Sequence, residues 1–429
     1  MTNLRNLIAE QTIVHLDSFE LESGITLRDV PVAYKTWGKL NAEGTNAMII
    51  CHALSGSADV EDWWGPLLGP GRAFDTDVFF IFCGNVLGSP YGTASPVTTN
   101  PETNQPYGPN FPIATIRDDV RLHKQILDNL GVKQIQFAIG GSMGGMQVLE
   151  WACLGVEYVR NIVPIATSGR HSAWCISWGE AQRQAIYSDP NYANGHYTAE
   201  NPPNTGLAAA RMQALLTYRS RNSFESRFGR KVMPPKPLDE PTRNLYESAA
   251  IHHNEGHKIR LHQSKEAAAE AASAMAGENA PRVYSAQSYL RYQGDKFVKR
   301  FDANCYISIT RKMDTHDISR GRGEFHEVLT RISQPTLVIG IESDGLFTIG
   351  EQRELAEHIP NAELIVIISP EGHDGFLLEF EQMNKYISDF IRRNGQALFK
   401  GKPIAEVTSE QFTVTKNSVF GEAEDAMMW

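Results

Sequence analysis

The 429-residue sequence is poor in several features that would fix a function class at once. It holds no run of 18 apolar residues, which excludes a predicted membrane-spanning helix. It has five cysteines, Cys51, Cys83, Cys153, Cys175 and Cys305. They are odd in number, far apart and without a Cys-x-x-Cys pair, which argues against a disulfide framework or a thiolate metal site. Cys51, Cys83 and Cys153 fall in apolar contexts, where a free thiol acts as a small hydrophobe. Positive charge is in deficit, with a formal net charge of −10, and this argues against nonspecific binding to nucleic acid or an anionic membrane. The start, Met1-Thr2-Asn3-Leu4-Arg5, lacks the apolar core of a secretory signal. A cytoplasmic enzyme is therefore expected. Asp314-Thr315-His316-Asp317 and the stretch holding His252, His253, His257 and His262 carry ligand-type side chains, but neither has metal-site spacing, so no metal is expected.

What is present is a serine flanked by glycines, Gly140-Gly141-Ser142-Met143-Gly144, between the β-prone run Ile135–Ile139 and a helical pattern over Met146–Trp151. Strand, sharp turn and helix form the setting that exposes a nucleophilic hydroxyl in α/β-hydrolases. Such a serine needs a base, and the base needs a carboxylate to orient it. Both are found late in the chain. Thr336–Ile341 reads as a buried parallel strand with Asp344 in the loop after it, and Leu364–Ile368 as the next strand, leading to His373 just before a helix starting near Phe376. Such loops gather at one edge of an open parallel sheet. The order Ser142, Asp344, His373 is the chain order of the hydrolase fold and differs from that of chymotrypsin and of subtilisin. An oxyanion hole is expected from the Met143 amide and, from the small-residue loop His52–Ala58 after the strand Ala47–Cys51, the amide of Leu54. A histidine opening such a loop, here His52, more often shapes it by hydrogen bonding than performs acid–base chemistry.

Around these motifs the chain alternates. Two extended runs about a Ser-Gly turn, Phe19–Leu27, and the run Val30–Lys35 predict an antiparallel edge. The strand Val78–Phe82, the helix Arg117–Leu130 and the strand Ile162–Ile165 continue a mostly parallel twisted sheet with helices on both faces. The expected organisation is a first core part over 1–170, a helical lid insertion over 171–320, a second core part over 321–400 and a tail over 401–429. Residues 230–281, polar and with few aromatics, read as a mobile excursion within the lid.

The chain resembles the homoserine O-acetyltransferase family, specifically its fungal branch, from about Leu21 to Arg392 apart from that excursion. The resemblance rests on separated stretches that include Val32-Ala33-Tyr34-Lys35-Thr36-Trp37-Gly38, Cys51-His52-Ala53-Leu54-Ser55-Gly56, Gly141-Ser142-Met143-Gly144-Gly145-Met146, Leu216-Thr217-Tyr218-Arg219 and Glu371-Gly372-His373-Asp374. It implies ping-pong acetyl transfer from acetyl-CoA, a co-substrate rather than a bound cofactor, to the hydroxyl of L-homoserine in methionine biosynthesis. A homodimer assembled through the lid helices is implied too. The family places an arginine and a tyrosine at the acceptor's carboxylate and an aspartate at its ammonium, and Arg211, Tyr218 and Asp374 match them. Without the resemblance, Arg211 reads as a solvated charge. One departure is Gly88-Ser89-Pro90-Tyr91-Gly92, where bacterial members commonly have a Gly-Gly-Cys version. Fungal relatives that acetylate serine or deacetylcephalosporin C share the Ser-Pro pattern, so those acceptors stand beside homoserine as alternatives, and an esterase or hydrolase with the same triad is a third.

Overall fold

The computed structural model describes residues 4–233, 253, 254, 256, 257 and 282–399. The sequence-predicted excursion at 230–281 and the tail at 401–429 lie largely or wholly outside them. Two compact units are present, one of residues 1–223 and 293–428, the other centred on 224–292. The second has its own aromatic cluster, with Phe228 between Phe224 and Tyr289 at centroid distances of 5.2 and 4.9 Å.

The first unit is built on an eight-stranded sheet. Its strands are β1 (Thr12–Glu20), β2 (Thr26–Trp37), β3 (Ala47–Cys51), β4 (Phe80–Gly84), β5 (Ile135–Gly141), β6 (Val159–Ile165), β7 (Thr336–Ile341) and β8 (Ala362–Ile367). They lie in the order 1-2-4-3-5-6-7-8. β1 and β2 pair antiparallel, as do β2 and β4, and from β4 to β8 the pairing is parallel. The helices that matter below are α1 (Ile116–Asn129), α2 (Met143–Ala152), α3 (Ala173–Tyr187), α4 (Asn204–Tyr218), α5 (Ala303–Asp314), α6 (Ile349–His358) and α7 (Phe380–Asn394).

Alternation along the central strands divides the core into two layers. Ile49, Cys51, Ala138 and Val338 point to one side, and Met48, Ile50, Phe137, Ile139 and Leu337 to the other. The strands are therefore covered on both faces, which is why their sequences read as continuous apolar runs rather than alternating ones. Each fully buried aliphatic or aromatic side chain contributes about 1.5–3 kcal/mol. β7 has the bounds read from the sequence. β4 begins two residues later than expected, because the Val78 and Phe79 amides are drawn into a turn on the Asp75 carbonyl. Local chemistry starts the helices. Thr115 and Asp118 form a capping box at α1, Ser172 caps α3 and Asp302 caps α5. Between 171 and 320 the described residues are mainly helical, and the strands of the sheet resume only at β7.

Candidate active site

The sharp turn after β5 sits at the centre of the site. Ser142 has φ 58° and ψ −124°. A left-handed backbone is costly for a residue with a side chain, and it persists only where the surroundings impose it. Here the Ser142 amide donates to the Ile165 carbonyl at 2.9 Å, and the Ser142 carbonyl accepts from Thr167 Oγ1 at 2.8 Å. The flanking glycines, read from the sequence as part of the sharp turn, have another reason to be there. Neither Gly140 nor Gly144 has positive φ. A Cβ on Gly144 would strike the Cys51 carbonyl oxygen, and one on Gly140 would lie 2.6 Å from the Gly144 oxygen. They let β5, α2 and the end of β3 touch, while the serine itself carries the strain.

The loops after β7 and β8 bring Asp344 and His373 together. Asp344 Oδ2 accepts from His373 Nδ1 at 2.7 Å. Its other oxygen accepts from the Leu346 and Phe347 amides at 2.8 and 2.9 Å, which fixes the carboxylate plane. The imidazole is stacked on Phe347 at 5.3 Å and edge-on to Phe376 at 5.3 Å. With the Nδ1 proton committed to Asp344, Nε2 is the acceptor. Nε2 is buried and has no hydrogen-bond partner among the described residues. Ser142, Leu54, Tyr218, His373 and Asp374 all line one cavity, whose lining does not include Asp344, Met143 or Arg211.

His52 has a structural role. Its Nδ1 donates to the Ala53 carbonyl at 2.8 Å and its Nε2 accepts from the Val86 amide at 3.2 Å. Burial pushes its pKa down to about 3, so the ring is neutral and holds the loop carrying Leu54. Among the described residues no protein acceptor is seen for the Leu54 or Met143 amide. Beside this loop, Lys312 of α5 and Asp119 of α1 form a fully buried ion pair at 2.6 Å. Both groups also hold Leu87, whose amide donates to Asp119 at 2.8 Å and whose carbonyl accepts from Lys312 at 2.7 Å.

Arg211 corrects the residue-only reading of a solvated charge, since it is 2 % exposed. Its guanidinium lies 5.6 Å from the Tyr218 ring and 4.9 Å from the Phe297 ring. It thus reaches the cavity through Tyr218, whose ring is 6.1 Å from that of His373. Asp374 carries a partner that sequence reasoning did not assign, Arg219, whose Nε is 2.7 Å from Asp374 Oδ2. The same guanidinium pairs with Glu371, which also accepts from Ser223 Oγ at 2.7 Å. Arg219 therefore grips the residues on both sides of Gly372-His373. The only signal in the sequence was its place in the Thr-Tyr-Arg stretch, which does not reveal a carboxylate partner so distant in the chain.

At 314–317 the ligand-type side chains have protein partners. Asp314 pairs with Arg183 at 2.7 Å, His316 Nε2 lies 3.1 Å from the Ser168 carbonyl, and Asp317 accepts from Ser319. The histidine-rich stretch at 252–262 lies mostly outside the described residues.

A nucleophile turn after the central strand, with a carboxylate and an imidazole joined on later strand ends, defines an α/β-hydrolase site. The alpha/beta hydrolase fold family matches residues 46–380. Within it, the chain belongs to the homoserine O-acetyltransferase family. It is 55% identical to the Emericella nidulans homoserine O-acetyltransferase, covering 99% of this chain and 95% of that protein. Identity to the Saccharomyces cerevisiae homoserine O-acetyltransferase is 52%, with the same coverage. Among solved structures, homoserine O-acetyltransferase from Bacillus anthracis superposes with a TM-score of 0.72 at 22% identity, over 90% of this chain and 98% of that one. That last likeness is one of fold.

Proposed function

We propose that the protein transfers an acetyl group from acetyl-CoA to the hydroxyl of L-homoserine through an acetyl-Ser142 intermediate, yielding O-acetyl-L-homoserine and CoA for methionine biosynthesis. The observation that carries this reading is the His373 imidazole, with Nδ1 anchored on Asp344 and Nε2 buried without a partner beside the cavity that Ser142 lines. His373 Nε2 takes the Ser142 proton as Oγ attacks the thioester carbonyl. The amides of Leu54 and Met143 stabilise the oxyanion, and CoA leaves with the proton. His373 then takes the homoserine hydroxyl proton as that oxygen attacks the acetyl-serine ester, and returns a proton to Ser142.

Water competes in the second half-reaction. Roughly 55 M water against an acceptor near 1 mM sets a discrimination of about 10⁵, or roughly 7 kcal/mol, which effective molarities of oriented reactants reach. Orientation falls to the acceptor's two charges, with Arg211 and Tyr218 on the carboxylate side and Asp374, itself aligned by Arg219, on the ammonium side. The helices α3, α4 and α5 act as a lid and as the surface of a homodimer. Trp174 on α3 and Leu216 on α4 support this, being 55% and 51% exposed. Among the described residues no helix is long and apolar enough to cross a membrane. The proposed location is the cytoplasm, with small-molecule substrates and neither nucleic acid nor membrane as partner.

The test is intact-mass measurement after brief exposure to acetyl-CoA. One acetyl adduct is expected on the parent and none on Ser142→Ala, with turnover on homoserine exceeding that on serine, on deacetylcephalosporin C and on water. An equal adduct on both proteins would remove Ser142 as nucleophile, and a preference for serine would change the acceptor while leaving the acyl transfer in place.

A further inference from the structure

The wall of the cavity contributed by α3, the residues just before it and α5 carries polar atoms that the acyl-transfer reading leaves unused. Trp178 Nε1 and His171 Nδ1 are buried without a hydrogen-bond partner among the described residues, and so are Arg183 Nη1 and Asp314 Oδ1. Buried polar groups are nearly always paired, so four orphaned atoms on one wall call for a ligand. His171, Trp178 and Asp314 line the cavity directly. Arg183 is 2 % exposed and lies next to Gly179, which is part of the lining. A Cβ built on that glycine would sit 3.2 Å from Arg183 Nη1 and 3.5 Å from Asp314 Oδ1.

Arg183 is already engaged by carboxylates. Arg183 Nη2 is 2.7 Å from Asp314 Oδ2 and 3.0 Å from Glu180 Oε2, and Nε donates to Glu180 at 3.2 Å. What remains is directional hydrogen bonding beside the apolar lining residues Cys175, Met313, Leu346 and Phe347, since Gln182 and Thr310 of the same wall are bonded to Tyr306. A free amino acid would have to break the Arg183–Asp314 pair to use it. A neutral secondary amide would not, because it offers one N–H to Asp314 Oδ1 and one carbonyl to the N–H groups of Arg183 and Trp178. The acyl donor of the proposed reaction has such groups, since the pantetheine arm of a CoA thioester contains two secondary amides close to its sulfur. We propose that His171, Trp178, Gly179, Arg183 and Asp314 form the subsite for an amide of the acyl donor's pantetheine arm. This rests on the acyl-transfer reading above and adds to it the part of the site that recognises the donor.

The experiment compares two donors in each protein by the stopped-flow burst that acetylates Ser142. Acetyl-CoA carries the amide arm and p-nitrophenyl acetate has none. Gly179→Ala fills the cradle with a residue that α-helices favour. It should lower the ratio of kcat/KM for acetyl-CoA to that for p-nitrophenyl acetate about ten- to a hundredfold, as expected for a lost charge-assisted hydrogen bond. Trp178→Phe, which removes only the indole donor, should lower the same ratio about three- to tenfold. The ratio is internal to each preparation, so a partly folded sample does not change it. An unchanged ratio in both variants would overturn the subsite, as would a loss confined to homoserine in the second half-reaction. A parent acetylated by the ester but not by acetyl-CoA would instead overturn the acetyl-CoA reading on which the subsite rests.

Discussion

The loops at the strand ends and the helical wall opposite them solve the problem of buried polarity in different ways. At the strand ends the groups that hold the geometry are committed, and among the described residues the reacting His373 Nε2 and the Leu54 and Met143 amides are left open. Asp344 uses both oxygens, His52 uses both ring nitrogens, and the Ser142 backbone is held on two sides. On α3 and α5, by contrast, the Arg183–Asp314 pair keeps a donor and an acceptor without a partner among the described residues, beside an indole in the same state. Full commitment preorganises chemistry, whereas a surplus of hydrogen bonding on a wall prepares it for a ligand that changes at each half-reaction. Lys312 belongs to the first kind although it lies on α5, because both its contacts serve the Leu87 loop and Asp119.

The largest break in this contrast is expected at Asp344. Asp344→Asn removes the support of the His373 tautomer and of its protonated form, at a loss of about 10⁴ in turnover. Single-turnover acetylation of Ser142 measures it, and retention of more than about a tenth of parental rate would dismiss the triad. Next is Lys312→Met, which leaves Asp119 buried without its cation. A loss of roughly 3–5 kcal/mol in folding stability is expected in urea unfolding, and the double variant with Asp119→Leu should recover much of it. If the single variant were as stable as the parent, the pair would not hold the two helices and the Leu87 loop together.

Smaller effects sharpen the distinction between holding and binding. Arg211→Ala and Asp374→Asn should each cost about ten- to a hundredfold, confined to the acceptor half-reaction, while the CoA burst stays near parental. An equal loss in the burst would make them supports of His373 rather than acceptor groups. Homoserine should lead serine by about 1–3 kcal/mol, the worth of one methylene. The smallest change concerns Glu351 on α6, whose carboxyl burial pushes up to about 7, with Asp344 and Glu354 adding repulsion. Its folded pKa lies above its unfolded one, so its contribution to stability is present below about pH 4.5 and is lost as pH rises through about 7. Glu351→Gln should therefore stabilise the protein by about 1 kcal/mol at pH 8 and make no difference at pH 4.5. Thermal unfolding at the two pH values decides it, and a gain at the acid end would reverse the sign.

What the sequence alone determined is what short-range chemistry dictates. The apolar run 336–341, the glycine-flanked Ser142 and the order of Asp344 and His373 on later strand ends follow from residue type and spacing, because strand propensity and turn geometry act over a few residues. The family stretches likewise pointed to Arg211, Tyr218 and Asp374. Their surroundings were settled only when distant segments met. The sequence does not reveal that Arg211 is buried between two rings, that Arg219 takes hold of Asp374 and Glu371, or that Lys312 on one helix finds Asp119 on another. Nor does it show that Gly179 opens onto Arg183 and Asp314. An ion pair, a ring contact or an unpaired buried atom depends on which surfaces the sheet brings face to face, and a charge in the sequence has the same appearance whether it ends in water or against a partner more than a hundred residues away.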